Sequence, residues 1–214
     1  MEYLHDEGYY TATLEELEKY VLGEISLPEK SIVITFDDGY QNNYIYAYPI
    51  LKKYGFHGTI FMIGGEIKEQ TVSFDPKKKS SLSRAEIEAS RDVFEYHSHT
   101  FDLHKKGFPK CGESHSLALD TALLQQDIQK IKSTGIDTPY IAYPYGEVSM
   151  QMIYYLRENG YRMGFTVLQD FVKPGDPLMK LPRLTVTSKT NLPELLEHKI
   201  TPKEAMNMNS MNSL

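Results

Sequence analysis

The sequence predicts an α/β fold with a mostly parallel sheet, consistent with an incomplete barrel. Two observations carry this. Apolar, β-branched runs alternate with amphipathic stretches along the chain, the pattern of βαβ units. About six such runs occur in 214 residues, too many for a small two-layer sandwich and within the range of one α/β domain.

The elements follow in order. Thr13-Leu14-Glu15-Glu16 reads as a capping box that opens a helix to about Val21. Ser31–Phe36 reads as a buried strand. Asn43–Tyr54 reads as a helix stopped by Gly55, with Pro49 imposing a kink or a break. Gly58–Ile63 is a second strand, residues 66–80 a polar loop, and Ser83-Arg84-Ala85-Glu86 a second capping box before a short helix. Val93–Ser98 is a strand, Thr100–Ser114 irregular, and Leu117–Lys132 a helix stopped by Gly135. Tyr140–Tyr143, Arg162–Val167 and Leu181–Val186 are strands; Ser149–Asn159 and Leu192–Lys199 are helices. Residues 1–205 read as one domain, and the low-complexity stretch 206–214 as a disordered tail.

Composition narrows the function. With 23 Lys+Arg against 29 Asp+Glu the net charge is −6, which argues against a nucleic-acid binder that neutralises phosphates. The Lys77-Lys78-Lys79 run reads as a solvated loop. One cysteine, Cys111, excludes an internal disulfide and a cysteine-based zinc site. No stretch approaches the roughly 20 apolar residues of a membrane span, and the polar, acidic amino terminus is unlike a secretory signal.

Three motifs could do chemistry, each following a predicted strand. Thr35-Phe36-Asp37-Asp38-Gly39-Tyr40 sets two carboxylates side by side. Like charges that close are relieved if one binds a cation and the other acts as base; the plain alternative is an Asp-Gly turn that caps the next helix. His97-Ser98-His99-Thr100-Phe101-Asp102-Leu103-His104 holds three of the seven histidines, and two imidazoles with one carboxylate form the open three-ligand site of catalytic zinc. Its alternative is a histidine-rich polar loop. Tyr143-Pro144-Tyr145-Gly146 fixes a turn that can aim an amide at an oxyanion, or is simply a turn.

In this order the three motifs resemble those of the polysaccharide deacetylases with a NodB-homology domain, carbohydrate esterase family 4. The resemblance runs from about Ile32 to Val186. The branch acting on poly-β-1,6-N-acetylglucosamine is the most similar, on the five-residue spacing of His99 and His104 and on Leu181-Pro182-Arg183-Leu184-Thr185-Val186. The resemblance implies a distorted (β/α) barrel, here expected to lack its N-terminal strand, and a hydrolase that removes N-acetyl groups from a polysaccharide. It implies Asp37 as general base, Asp38, His99 and His104 as ligands of one divalent ion (zinc foremost), and the Tyr145 amide, fixed by Pro144, as oxyanion donor. His97 has no ligand role in the family and, two residues before His99, is expected on the same strand face. The expected partner is a polysaccharide at or outside the cell surface, with a cytosolic location as the alternative that the missing signal leaves; neither nucleic acid nor membrane span is expected, and oligomeric state is left open.

Departures from the family pattern set further expectations. Ala142 stands where the wider family has an arginine that holds the catalytic aspartate, and Arg183 is the candidate replacement. The family's tryptophan motif is absent. Leu196-Glu197-His198 matches the letters of the family's acid motif but sits in a helical pattern, and His5 precedes a Gly-Tyr connection. Neither is expected to supply the acid, so an amino-terminally shortened, slow enzyme is anticipated. A carbohydrate-binding relative without turnover and a hydrolase of small acetylated amines remain as alternatives.

Overall fold

A computed structural model describes residues 1–104, 121–136 and 138–197. Cys111, His198, the 206–214 tail, and the predicted irregular and helical residues 105–120 lie outside the described residues.

Seven strands occur among the described residues: β1 (Tyr10–Thr11), β2 (Ser31–Ile32), β3 (Thr35–Phe36), β4 (Gly58–Met62), β5 (Phe94–Ser98), β6 (Tyr140–Ala142) and β7 (Met163–Phe165). All pair in parallel: β1 with β2, and β3 to β7 in sequential order. The predicted strand 31–36 is one run that changes partner midway, pairing first with β1 and then with β4. The result is a curled, half-barrel sheet. A strand was not expected ahead of the first predicted helix, yet β1 is there, preceded by α1 (Glu2–Asp6). Both are too short to show a hydrophobic period.

Side chains alternate across this sheet because strand residues point to opposite faces. Outward, Ile60, Met62, Phe94 and Tyr96 pack with Leu51, Leu82, Ile87 and Ile131, and Ile141 and Tyr143 with Leu124, Ile128 and Leu156. Inward, Phe61, Tyr140, Ala142, Met163 and Phe165 pack with Leu14, Leu17 and Val21 of α2 (Leu14–Val21). Glu18 of α2 is buried, taking a two-pronged bond from Arg162 at 2.7 and 2.9 Å and a third from the Tyr140 hydroxyl at 2.7 Å. These partners begin β6 or immediately precede β7. The helix α2 therefore closes the amino-terminal end of the sheet and leaves the carboxyl end for the site.

Both capping boxes form, at Thr13 with Glu16 and at Ser83 with Glu86. The predicted Asn43–Tyr54 helix divides into a π-helix, Asn43–Ala47, and α3 (Tyr48–Tyr54), which ends at Gly55 with φ 67°. The break falls ahead of Pro49, which cannot donate to a carbonyl one turn back. The remaining α-helices among the described residues are α4 (Arg84–Ala89), opened by the second capping box, α5 (Thr121–Ser133), α6 (Met150–Glu158) and α7 (Leu192–Glu197).

One strand needs correction. Of Leu181–Val186 only Leu181 joins the sheet, as a parallel bridge to Phe165. The amide of Arg183 donates to Leu168 at 2.8 Å. The Thr166 carbonyl accepts the Arg183 Nε, at 3.1 Å. The ladder slips there as a bulge does, and such slips re-aim side chains.

Candidate metal and active site

At the carboxyl ends of the strands, three described non-glycine residues adopt positive φ: Asp38 (69°), Thr100 (69°) and Tyr145 (58°). They are all the non-glycine cases among the described residues, and each belongs to one of the three motifs. Such conformations cost energy and cluster at functional sites.

After β3 the left-handed turn at Asp38 and Gly39 separates the two carboxylates. Gly39 is required there, since a Cβ would lie 2.5 Å from Met62 Sδ. Asp37 receives both prongs of the Arg183 guanidinium, at 2.7 and 2.8 Å. Arg183 also reaches Thr35 Oγ1 at 3.4 Å and lies over the Phe61 and Phe165 rings, 5.7 and 6.0 Å from their centroids. Burial works to raise the Asp37 pKa, but the Arg183 hydrogen bonds and charge outweigh it and hold the carboxyl below its usual range.

Asp38 turns the other way. Its Oδ1 lies 3.5 Å from His99 Nε2 and 3.6 Å from His104 Nε2. One donor atom from each of the three residues falls within 4.8 Å of the others. His99 follows β5 directly, and its Nδ1 donates to the Ala142 carbonyl at 2.7 Å, which leaves Nε2 with a free lone pair. Burial, then the proximity of His99, lowers the His104 pKa and favours its neutral form. For Asp38 burial again acts upward, yet the nearness of His99, with the Tyr40 hydroxyl and His104, prevails and its pKa is lowered. Two imidazoles and an ionised carboxylate, converging and with the His99 ring oriented by its bond to Ala142, suit a divalent cation. The carboxylates thus serve Arg183 and the histidines rather than the cap of the next helix.

Tyr145 brings its ring 4.5 Å from that of His104 and remains 38% exposed. The neighbouring amides are committed, Tyr143 to Phe165 O at 3.0 Å and Gly146 to Tyr143 O at 2.8 Å, and Pro144 has none. Gly146 seats the turn on Val167, whose Cγ2 is 2.5 Å from where a Cβ would be.

His97 lies on the inner face with His99, as strand alternation requires, but deeper: it is 8% exposed, 3.4 Å from Glu95 and 5.1 Å from the Tyr140 ring. His5 lies against Tyr54, the ring centroids 5.3 Å apart and the planes tilted by 51°, at the amino-terminal end of β4 and opposite the site. Two contacts were not anticipated. Lys79 of the predicted solvated run donates to the Tyr40 hydroxyl at 3.2 Å, and Tyr40 donates to Asp38. Asp127 of α5 binds the histidine loop. Its one trace in the sequence is that of the lone acid in the stripe Leu124, Asp127, Ile128, Ile131, which by itself names no partner.

The family model described as polysaccharide deacetylase matches residues 24–164. The poly-beta-1,6-N-acetyl-D-glucosamine N-deacetylase of Staphylococcus epidermidis is 30% identical over 191 residues, covering 86% of this chain and 63% of that one. The chain spans 63% of the length of that relative and 55% and 56% of two other curated relatives. Among solved structures, IcaB from Ammonifex degensii is similar at 28% identity and TM-score 0.67, over 98% of this chain and 84% of that one. The deacetylase PplD of Streptococcus pyogenes shares the fold at TM-score 0.74 and 23% identity, over 94% and 84% of the two chains. No helix among the described residues is long and apolar enough to cross a membrane.

Proposed function

The chain belongs to the polysaccharide deacetylase family, and on that premise we propose that it hydrolyses N-acetyl groups from N-acetylglucosamine units of a polysaccharide, with poly-β-1,6-N-acetylglucosamine as the first substrate to test. The observation that carries this reading is the convergence of Asp38, His99 and His104 beside an Asp37 that is held ionised by Arg183. A divalent ion, zinc foremost, would be held by those three residues and would supply Lewis acidity toward the acetamide carbonyl.

The rest falls to the chain's own groups. The Asp37 carboxylate accepts the proton of the attacking water, for which it must be ionised. Arg183 keeps it so and fixes its direction, taking the place of the arginine absent at Ala142. The Tyr145 amide, in its left-handed turn, donates to the oxygen on which negative charge develops. The exposed Tyr145 ring offers a flat face on which a sugar ring can lie. The support for a polymer substrate is the similarity to named polysaccharide deacetylases; a binding protein without turnover has no need of Asp37 held in this way. Acetate release from N-acetylglucosamine oligomers of increasing length tests the reading. A polymer deacetylase improves with length, a hydrolase of small amines does not, and a binding protein releases nothing.

A further inference from the structure

The loop that carries His104 is held from both sides. From one side, Gly64 and Gly65 just after β4 donate their amides to the carbonyls of Thr100 and Phe101, at 2.9 and 2.8 Å. No side chain fits at either glycine: a Cβ on Gly64 would lie 2.4 Å from Ile131 Cδ1, and one on Gly65 2.9 Å from the Phe101 carbonyl oxygen. From the other side comes Asp127, a carboxylate 5% exposed in the middle of α5. Its Oδ1 accepts the Phe101 amide and its Oδ2 the Asp102 amide, each at 2.8 Å. Lys130, three residues on and on the same helix face, places its ammonium 5.7 Å from the Phe101 ring centroid. Between these supports Thr100 is kept at φ 69°.

We propose that Asp127 is a positioning residue for the metal site: it clamps the Phe101–Asp102 backbone to α5 and so presents His104 to Asp38 and His99. The proposal rests on the reading of those three residues as a metal site. Its physical basis is the pair of acceptors. Two parallel amide donors aimed at one side chain need two acceptor oxygens, and only a carboxylate has them; an amide side chain would turn an N–H toward one of the donors. Charge-assisted bonds of this kind are among the stronger ones, and here the accepting carboxylate is buried. Releasing them frees the loop shortly before His104 while leaving the ligand itself in place.

Zinc titration by calorimetry on the whole chain, with cobalt absorption as a second readout, tests this. Asp127→Asn is expected to weaken zinc binding by about 10–100-fold, the range typical of residues that orient metal ligands, and to change the cobalt spectrum. Gly65→Ala, which presses on the same loop from the opposite side, is expected to do likewise. Leu17→Ala serves as control: it hollows the cluster under α2, which holds no residue of the histidine loop, and should lower the melting temperature without altering zinc affinity. A folded Asp127→Asn protein with unchanged zinc affinity and cobalt spectrum overturns the clamp, and so does an equal loss in Leu17→Ala. If Asp127→Asn does not fold, Gly65→Ala decides by the same criterion. A wild-type chain that takes up no ion overturns the metal-site reading, and the clamp with it.

Discussion

Replacing Arg183 by Met keeps a long apolar stem between Phe61 and Phe165 but removes both donors to Asp37. The side chains of Arg183 and Asp37 are 16% and 34% exposed. Leaving a fully buried charge without its partner costs about 3–5 kcal/mol, and the third of Asp37 still in solvent argues for a smaller loss, about 2–3 kcal/mol. The sign with pH follows from the depressed pKa of Asp37. Stability from the pair is present above the unfolded carboxyl value of about 3.9 and is lost as pH falls through the lower folded value. The difference between wild type and Arg183→Met in urea unfolding should therefore be full at pH 7 and shrink in strong acid. Activity moves oppositely. Without Arg183 the raising effect of burial is unopposed, so the acid limb of kcat/KM shifts to higher pH. In an Asp37→Asn background the same Arg183→Met change should cost at least about 1 kcal/mol less, because no charge is stranded. An equal cost in both backgrounds with an unmoved acid limb would refute the pairing as the source of Asp37 ionisation.

Other perturbations separate the remaining roles. Asp37→Asn should retain metal while losing about 10²–10⁴-fold in turnover, whereas Asp38→Asn should lose the metal itself; calorimetry beside an acetate assay distinguishes the two neighbours. Glu18→Gln should destabilise by about 1–2 kcal/mol, since a charge-assisted bond is weakened while exposed Arg162 keeps its water. Because the Glu18 pKa is lowered in the fold by the bonds from Arg162 and Tyr140, against the raising effect of burial, that loss should appear at neutral pH and vanish as pH drops through the folded value. Gly146→Ala should displace the Pro-Tyr-Gly turn from Val167, since a Cβ falls 2.6 Å from the Val167 backbone nitrogen and φ is 72°. A lowered melting temperature together with reduced turnover is the expected reading.

Much of this was legible in the sequence because it was local. Capping boxes, the glycine stop at Gly55 and the strand-then-acid and strand-then-histidine order all depend on residues within a few positions of one another. What escaped was short or distant. Neither the five residues of α1 nor the two of β1 complete a period. The loss of sheet pairing beyond Leu181 accompanies the capture of the Thr166 carbonyl by the Arg183 side chain, which no propensity encodes. Arg183 could be nominated as partner of Asp37 only from the gap left at Ala142, 146 residues of separation hiding the bond itself. Asp127 is the instructive omission: an acid inside an apolar helical stripe reads as noise until the two amides it serves are seen.

In the proposed function Asp38, His99 and His104 hold a divalent ion that, with Asp37, removes acetyl groups from a glycan. Acetate release from a poly-β-1,6-N-acetylglucosamine oligomer tests it most directly, measured on metal-stripped protein before and after zinc is restored. Release is expected after zinc is restored and none before, and the same lack of release from Asp38→Asn under zinc. Release that is indifferent to stripping, or its absence from zinc-loaded wild type, would contradict it.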